Sequence, residues 1–269
     1  MFIYYFSLFL IIPVIAQTFY YYYTHDIIST IKMGNDVLFN TIVFFPFVFL
    51  LDRNKLLRAV LILLFLIVSF LSYKRSIIIS TLIALVVYYI FVSDIKGKLK
   101  GLFKWYVLIF VPVLVYLSTS LFQLIGENVV SRFERLSQDG GNGRNEIYSR
   151  LLDIFMESDF LQMLFGHGYM STRRYIGVLA HNDFIQLLFD FGIVGFSLYL
   201  LFFASFIKLI FVKYKRRRYY RVEYATFVSL IVFLLTMTQS NCFIYSPFLL
   251  SPMLFLLGIL NYRLVNVWK

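Results

Sequence analysis

Apolar residues along this chain fall in long runs, not in the one-face spacing of a soluble fold. The runs occupy roughly 2–22, 37–51, 57–72, 76–92, 105–125, 183–212, 224–239 and 243–262. Stretches of this length with few charges read as membrane helices, about eight in number and some of them short. Between the fifth and sixth runs lies the one long hydrophilic connection, 126–182. After a glycine-rich break, "DGGNG", Ile147, Leu151, Ile154 and Phe155 recur there at helical spacing. That pattern predicts an amphipathic helix lying on the membrane surface or over a cavity. The expected architecture is therefore all-α: a polytopic transmembrane helical bundle with one long loop that carries an amphipathic helix. Three regions follow, with N-terminal transmembrane helices over 1–125, a loop over 126–182 and C-terminal transmembrane helices over 183–269.

Composition strengthens this reading. The chain is 61% hydrophobic and 14% charged, and one soluble core could not cover its 32 Phe and 21 Tyr, so lipid must solvate much of that surface. The net charge of +11 then reports topology and not nucleic-acid binding. Arg53, Lys55 and Arg58 mark one connection, Lys96, Lys98, Lys100 and Lys104 a second, and Lys213 through Arg221 a third. By the positive-inside rule these faces and both termini are cytoplasmic, and 126–182 is extracytoplasmic. The N-terminal run lacks a basic leader and a small-residue cleavage site, so it is expected to be a retained span. Cys242 is the single cysteine, which excludes an internal disulfide and a cysteine zinc site.

Several polar residues stand where insertion would favour apolar ones. Lys74 and Arg75 form a tight turn on the outer face, where cations are normally scarce. The preceding helix, at ~1.5 Å per residue, falls short of the ~30 Å hydrocarbon core, so the turn is a candidate recessed anion site, against a snorkelling pair. Arg144 opens the amphipathic helix, where free backbone N–H groups and a guanidinium together suit a phosphate. His181 and Asn182 precede the sixth apolar run. An imidazole there can accept a hydroxyl proton, while the bland reading is a histidine beside an Asn182 or Asp183 helix cap. His167, between two glycines, and His25 with Asp26 are further polar candidates. Asp-x-Asp, Walker, His-Glu-x-x-His and Gly-x-Ser-x-Gly patterns are all missing from the sequence, and no metal or other cofactor is expected.

The order of these features resembles the bacterial O-antigen ligase and O-antigen polymerase family of polytopic membrane glycosyltransferases. "LSYKRSIII" is similar to its short arginine turn between two spans. "GRNEIYSRLLDIFMESDFLQMLFGHGY" resembles its Gly-Arg helix, and "AHNDFIQLLFDFGIVGF" its His-Asn helix with glycines about ten residues on. The resemblance runs from roughly residue 37 to the C-terminus, with Tyr148 where Trp is common and Lys74 where Ser is common.

What the resemblance implies is a GT-C-like enzyme of the bacterial plasma membrane that uses a lipid-linked oligosaccharide on a polyprenyl diphosphate. It would pass the glycan to a hydroxyl with inversion and without metal. Arg75 and Arg144 would hold the diphosphate, His181 would take the acceptor proton, and Lys74, Arg173, Arg174, His167 and Asn182 would contact substrate. The favoured acceptor is another lipid-linked repeat, which makes the chain a polymerase. The alternatives are a ligase acting on lipid A core, protein or wall polymer, and, from another class, a transporter, flippase or non-catalytic subunit. A chain-length regulator or a partner supplying N-terminal helices is a further expectation, and nucleic acid is not.

Overall fold

The computed structural model describes residues 2–24, 41–71, 75–92, 144–215, 219–239 and 245–265. The expected run at 105–125, the start of the run at 37–51, the polar pair His25 and Asp26 and the turn residue Lys74 lie outside them. Among the described residues the secondary structure is helical and contains no strand, as the long apolar runs require. The helices are α1 (Phe2–Thr24), α2 (Phe45–Val48), α3 (Lys55–Leu71), α4 (Arg75–Val92), α5 (Arg144–Met156), α6 (Phe160–Phe165), α7 (Ser171–Ile176), α8 (Asp183–Lys213), α9 (Arg221–Thr238) and α10 (Pro247–Val265). Two of them, α8 and α9, are long and apolar enough to cross a membrane. The chain divides into two compact units, Met1–Val92 with Leu200–Lys269, and Ser93–Tyr199.

In the first unit α9 packs along α4. Small side chains make this possible: Ser80, Thr81 and Ala84 on α4 and Ala225 and Ser229 on α9 are all buried. Backbones can then approach closely, and Ser229 Oγ donates to the Ala84 carbonyl at 2.7 Å, the kind of polar contact that joins helices in lipid. Phe49 stacks on Tyr88 at 4.1 Å, and Arg58 donates to the Tyr88 hydroxyl at 3.2 Å. Lys213 is buried yet satisfied, because its ammonium donates to the carbonyl of Asn261 at 2.9 Å and to that residue's side-chain oxygen. Arg263 pairs with Glu223 at 3.4 Å.

The second unit is built on the predicted amphipathic helix. Leu151 and Phe155 of α5 are buried against Ala180 and Phe189, with Ile147, Tyr148, Ile154, Met163, Ile176, Ile185 and Leu188 packed around them. The stripe read from the sequence thus faces the start of α8. The run expected as one helix over 183–212 is broken. Gly192 has φ 66° and ψ −167°, which no helix accommodates, and the chain folds back on itself there. The Phe184 ring lies 5.7 Å from that of Tyr199, whereas a straight helix would separate those residues by more than ~20 Å. Beyond the break, residues 193–213 are enough to cross the ~30 Å hydrocarbon core.

Candidate functional site

A break in a helix strands the carbonyls of the preceding turn, and a buried one must find another donor. The loop after α6 meets that need. His167 N–H donates to the Phe189 carbonyl at 3.0 Å and Gly168 N–H to that of Asp190 at 2.9 Å. The "FGHGY" segment is thereby fastened to the first arm of α8. The His167 ring stacks on Phe189 at 4.4 Å and lies 5.3 Å from Tyr175. Its Nε2 is 2.9 Å from Ser158 Oγ, whose own proton goes to the Ile154 carbonyl at 2.7 Å. Nε2 is therefore the donor, and Nδ1, buried and unpartnered, carries the lone pair. Burial pushes this imidazole below its ordinary 6.5, with the carboxylates of Asp159 and Asp190 pulling the other way.

A polar network lies beside this loop. Asp190 is fully buried. Its Oδ1 accepts from Ser171 Oγ at 2.6 Å, from Thr172 N at 3.0 Å and from Thr172 Oγ1 at 2.7 Å. Its Oδ2 accepts from Gln186 Nε2 at 2.7 Å, and that amide nitrogen also donates to Thr172 Oγ1. Gln186 Oε1 in turn accepts from Ala180 N–H at 2.9 Å. Four hydrogen bonds onto one carboxylate are what an apolar interior demands of a buried charge.

His181 follows Ala180 directly. Its side chain is exposed and its backbone is left-handed, with φ 54°, a conformation uncommon outside glycine. Asn182 then caps α8, its Oδ1 accepting from Phe184 N at 2.9 Å and Ile185 N at 3.4 Å. Asp183, also buried, accepts from the Tyr199 hydroxyl at 3.1 Å. Arg144 is the first residue of α5, half-exposed, and lies one helical turn before Tyr148 on the stripe that packs against Ala180.

The sequence model of the O-Antigen ligase family matches residues 59–200, more than half the chain and inclusive of Arg75, Arg144 and His181. The chain belongs to the O-antigen ligase family. A second family model, O-antigen ligase like membrane protein, matches residues 141–268. No curated protein and no solved structure matches the chain. Family and helices together make it a membrane protein of O-antigen ligase type.

The residues singled out from the sequence take up different positions. Arg144, His167, Arg173, Arg174, His181 and Asn182 all lie in the second unit. Arg173 and Arg174 are exposed on α7, and Arg174 donates to the Tyr169 carbonyl at 2.8 Å. Arg75 heads α4 in the first unit, and its side chain is outside the described set. Asn182, expected to touch substrate, spends its side-chain oxygen on the helix cap. Sequence reading passed over Gln186 and Asp190. Their signal was present: with Asn182 they recur every fourth position in a mostly apolar run, which places them on one helical face.

Proposed function

We propose that this protein is a glycosyltransferase that moves a glycan from a polyprenyl diphosphate to a hydroxyl acceptor at the outer leaflet of the bacterial plasma membrane. The observation that carries the reading is that Arg144 and His181 belong to one packed unit: the helix that Arg144 opens buries Leu151 and Phe155 against Ala180, the neighbour of His181. The acceptor oxygen attacks the anomeric carbon from the face opposite the leaving group. The bond from that carbon to the diphosphate oxygen breaks, and the hydroxyl proton passes to the His181 imidazole. Arg144 neutralises charge as the diphosphate departs, and the exposed guanidiniums of Arg173 and Arg174 on α7 assist in holding it. His167 completes the substrate-contacting set in this unit, while Asn182 acts through the turn that it caps.

The orientation follows from charge: the basic clusters at 53–58, 96–104 and 213–221 favour the cytoplasm and leave the loop of 126–182 outside. The acceptor in this reading is a second lipid-linked repeat, which makes the enzyme a polymerase. A ligase reading stands beside it, because both matching families are described by ligation. Purified full-length protein given lipid-linked oligosaccharide alone separates the two. Longer lipid-linked glycans are the expected product, whereas transfer only after a lipid A core, protein or wall-polymer acceptor is added makes the chain a ligase. Arg144→Ala and His181→Ala should leave the protein inserted and the substrate unextended. Wild-type product from either variant, at wild-type protein level, would remove the assignment.

A further inference from the structure

The buried carboxylate of Asp190 reaches the backbone beside His181 through one side-chain amide. Chemistry at both ends fixes the orientation of that amide: a backbone N–H at Ala180 needs an acceptor and a carboxylate at Asp190 needs a donor. Gln186 therefore sets Oε1 on Ala180 N (2.9 Å) and Nε2 on Asp190 Oδ2 (2.7 Å). On the other side of His181, Asn182 is tied to the same helix by its cap and by its carbonyl, which accepts from Gln186 N at 2.9 Å. His181, with its left-handed φ of 54°, thus sits between two residues anchored to the first turns of α8. Without the amide, the Ala180 N–H loses this acceptor on the helix.

We propose that Gln186 and Asp190 are positioning residues for His181, with Gln186 clamping the Ala180 backbone and Asp190 fixing the amide; the inference rests on His181 being the group that receives the acceptor proton. The two side chains act through the turn and touch no reacting atom. Their removal should lower turnover while leaving affinity for the lipid-linked donor in place.

The test reverses the polarity of the pair. In Asp190→Asn a side-chain N–H₂ meets Gln186 Nε2, and relief by rotation of the Gln186 amide sets a donor against the Ala180 N–H. In Gln186→Glu two carboxylates face each other. The double variant Asp190→Asn/Gln186→Glu restores an acceptor at Ala180 and a donor from position 190. Gln186→Met removes the clamp at similar volume while leaving Asp190 its bonds to Ser171 and Thr172. Purified full-length forms are assayed on lipid-linked oligosaccharide, with thermal unfolding checking the fold.

Each single variant, Gln186→Met included, should lose about tenfold or more in kcat with donor KM within about twofold, as expected when a catalytic group is misplaced. The double variant should recover most of that loss. Wild-type kcat in folded Gln186→Met, a rise in KM in place of the fall in kcat, or a folded double variant no better than the single variants would each overturn the inference. His181→Ala is measured alongside. Full turnover in that variant removes the functional reading underneath, whereas inactive His181→Ala with an unaffected Gln186→Met removes the positioning role alone.

Discussion

Gly166 and Gly192 meet backbone to backbone: a methyl group added to Gly192 would lie 2.5 Å from the Gly166 nitrogen and 2.4 Å from the Leu164 carbonyl oxygen. A methyl group on Gly166 would in turn lie 2.4 Å from the Asp190 carbonyl and from the Phe191 nitrogen, just before Gly192. Both residues also have positive φ. Positive φ with ψ near 180° is open essentially to glycine alone and costs a residue with a side chain roughly 1–3 kcal/mol, and overpacking adds about 1–3. Gly166→Ala and Gly192→Ala should therefore each destabilise the second unit by several kcal/mol, read as loss of folded protein and of protease protection over 144–199. Gly258→Ala is the control, because nothing approaches a methyl group there. It should be neutral or slightly stabilising.

Stability should fall in acid partly through His167. Its folded value lies below the ordinary 6.5, so the unfolded chain binds the proton more readily. The contribution is complete above pH 6.5 and is lost as pH falls through the lowered folded value. Protonation would place a second N–H at Nδ1, which is buried and unpartnered. Thermal unfolding at neutral and mildly acidic pH should show a larger drop for wild type than for His167→Gln. Equal drops would assign the acid sensitivity to other groups.

Asn182 offers a way to separate a cap from a substrate contact. Asn182→Ala removes the acceptor for Phe184 N and Ile185 N and should cost about 1 kcal/mol. Asn182→Ser and Asn182→Asp, which also cap, should keep both stability and transfer. A folded Asn182→Ser without activity would make the amide a substrate ligand.

Arg144→Lys tests whether charge alone suffices. Lysine retains the cation but not the planar fork that engages a diphosphate through paired donors. Loss of one charge-assisted hydrogen bond, about 1.5–3 kcal/mol, corresponds to roughly ten- to hundredfold in transfer rate. Protein level and donor binding should be measured with it. Wild-type turnover in Arg144→Lys would reduce the role of this residue to long-range electrostatics.

Much of this molecule is legible in the order of its residues. Apolar runs that water cannot solvate dictate helices in lipid, and the spacing of Ile147, Leu151, Ile154 and Phe155 identifies a packing face before any partner for it is known. Arg144 and His181 stand out because cations and imidazoles are costly near a bilayer. The reversal at Gly192, the fastening of the His167 loop to carbonyls of α8 and the Asp190–Gln186–Ala180 connection were not readable in the same way. A glycine in an apolar run is compatible with a continuous helix, and only the approach of Leu164–Gly166 makes its positive φ the stable choice. A buried aspartate likewise acquires meaning from its donors, and Ser171 and Thr172 reach Asp190 from another helix while Gln186 does so from the preceding turn of its own. Short-range periodicity encodes which face is apolar, whereas hydrogen bonds between distant segments depend on where folding carries those segments.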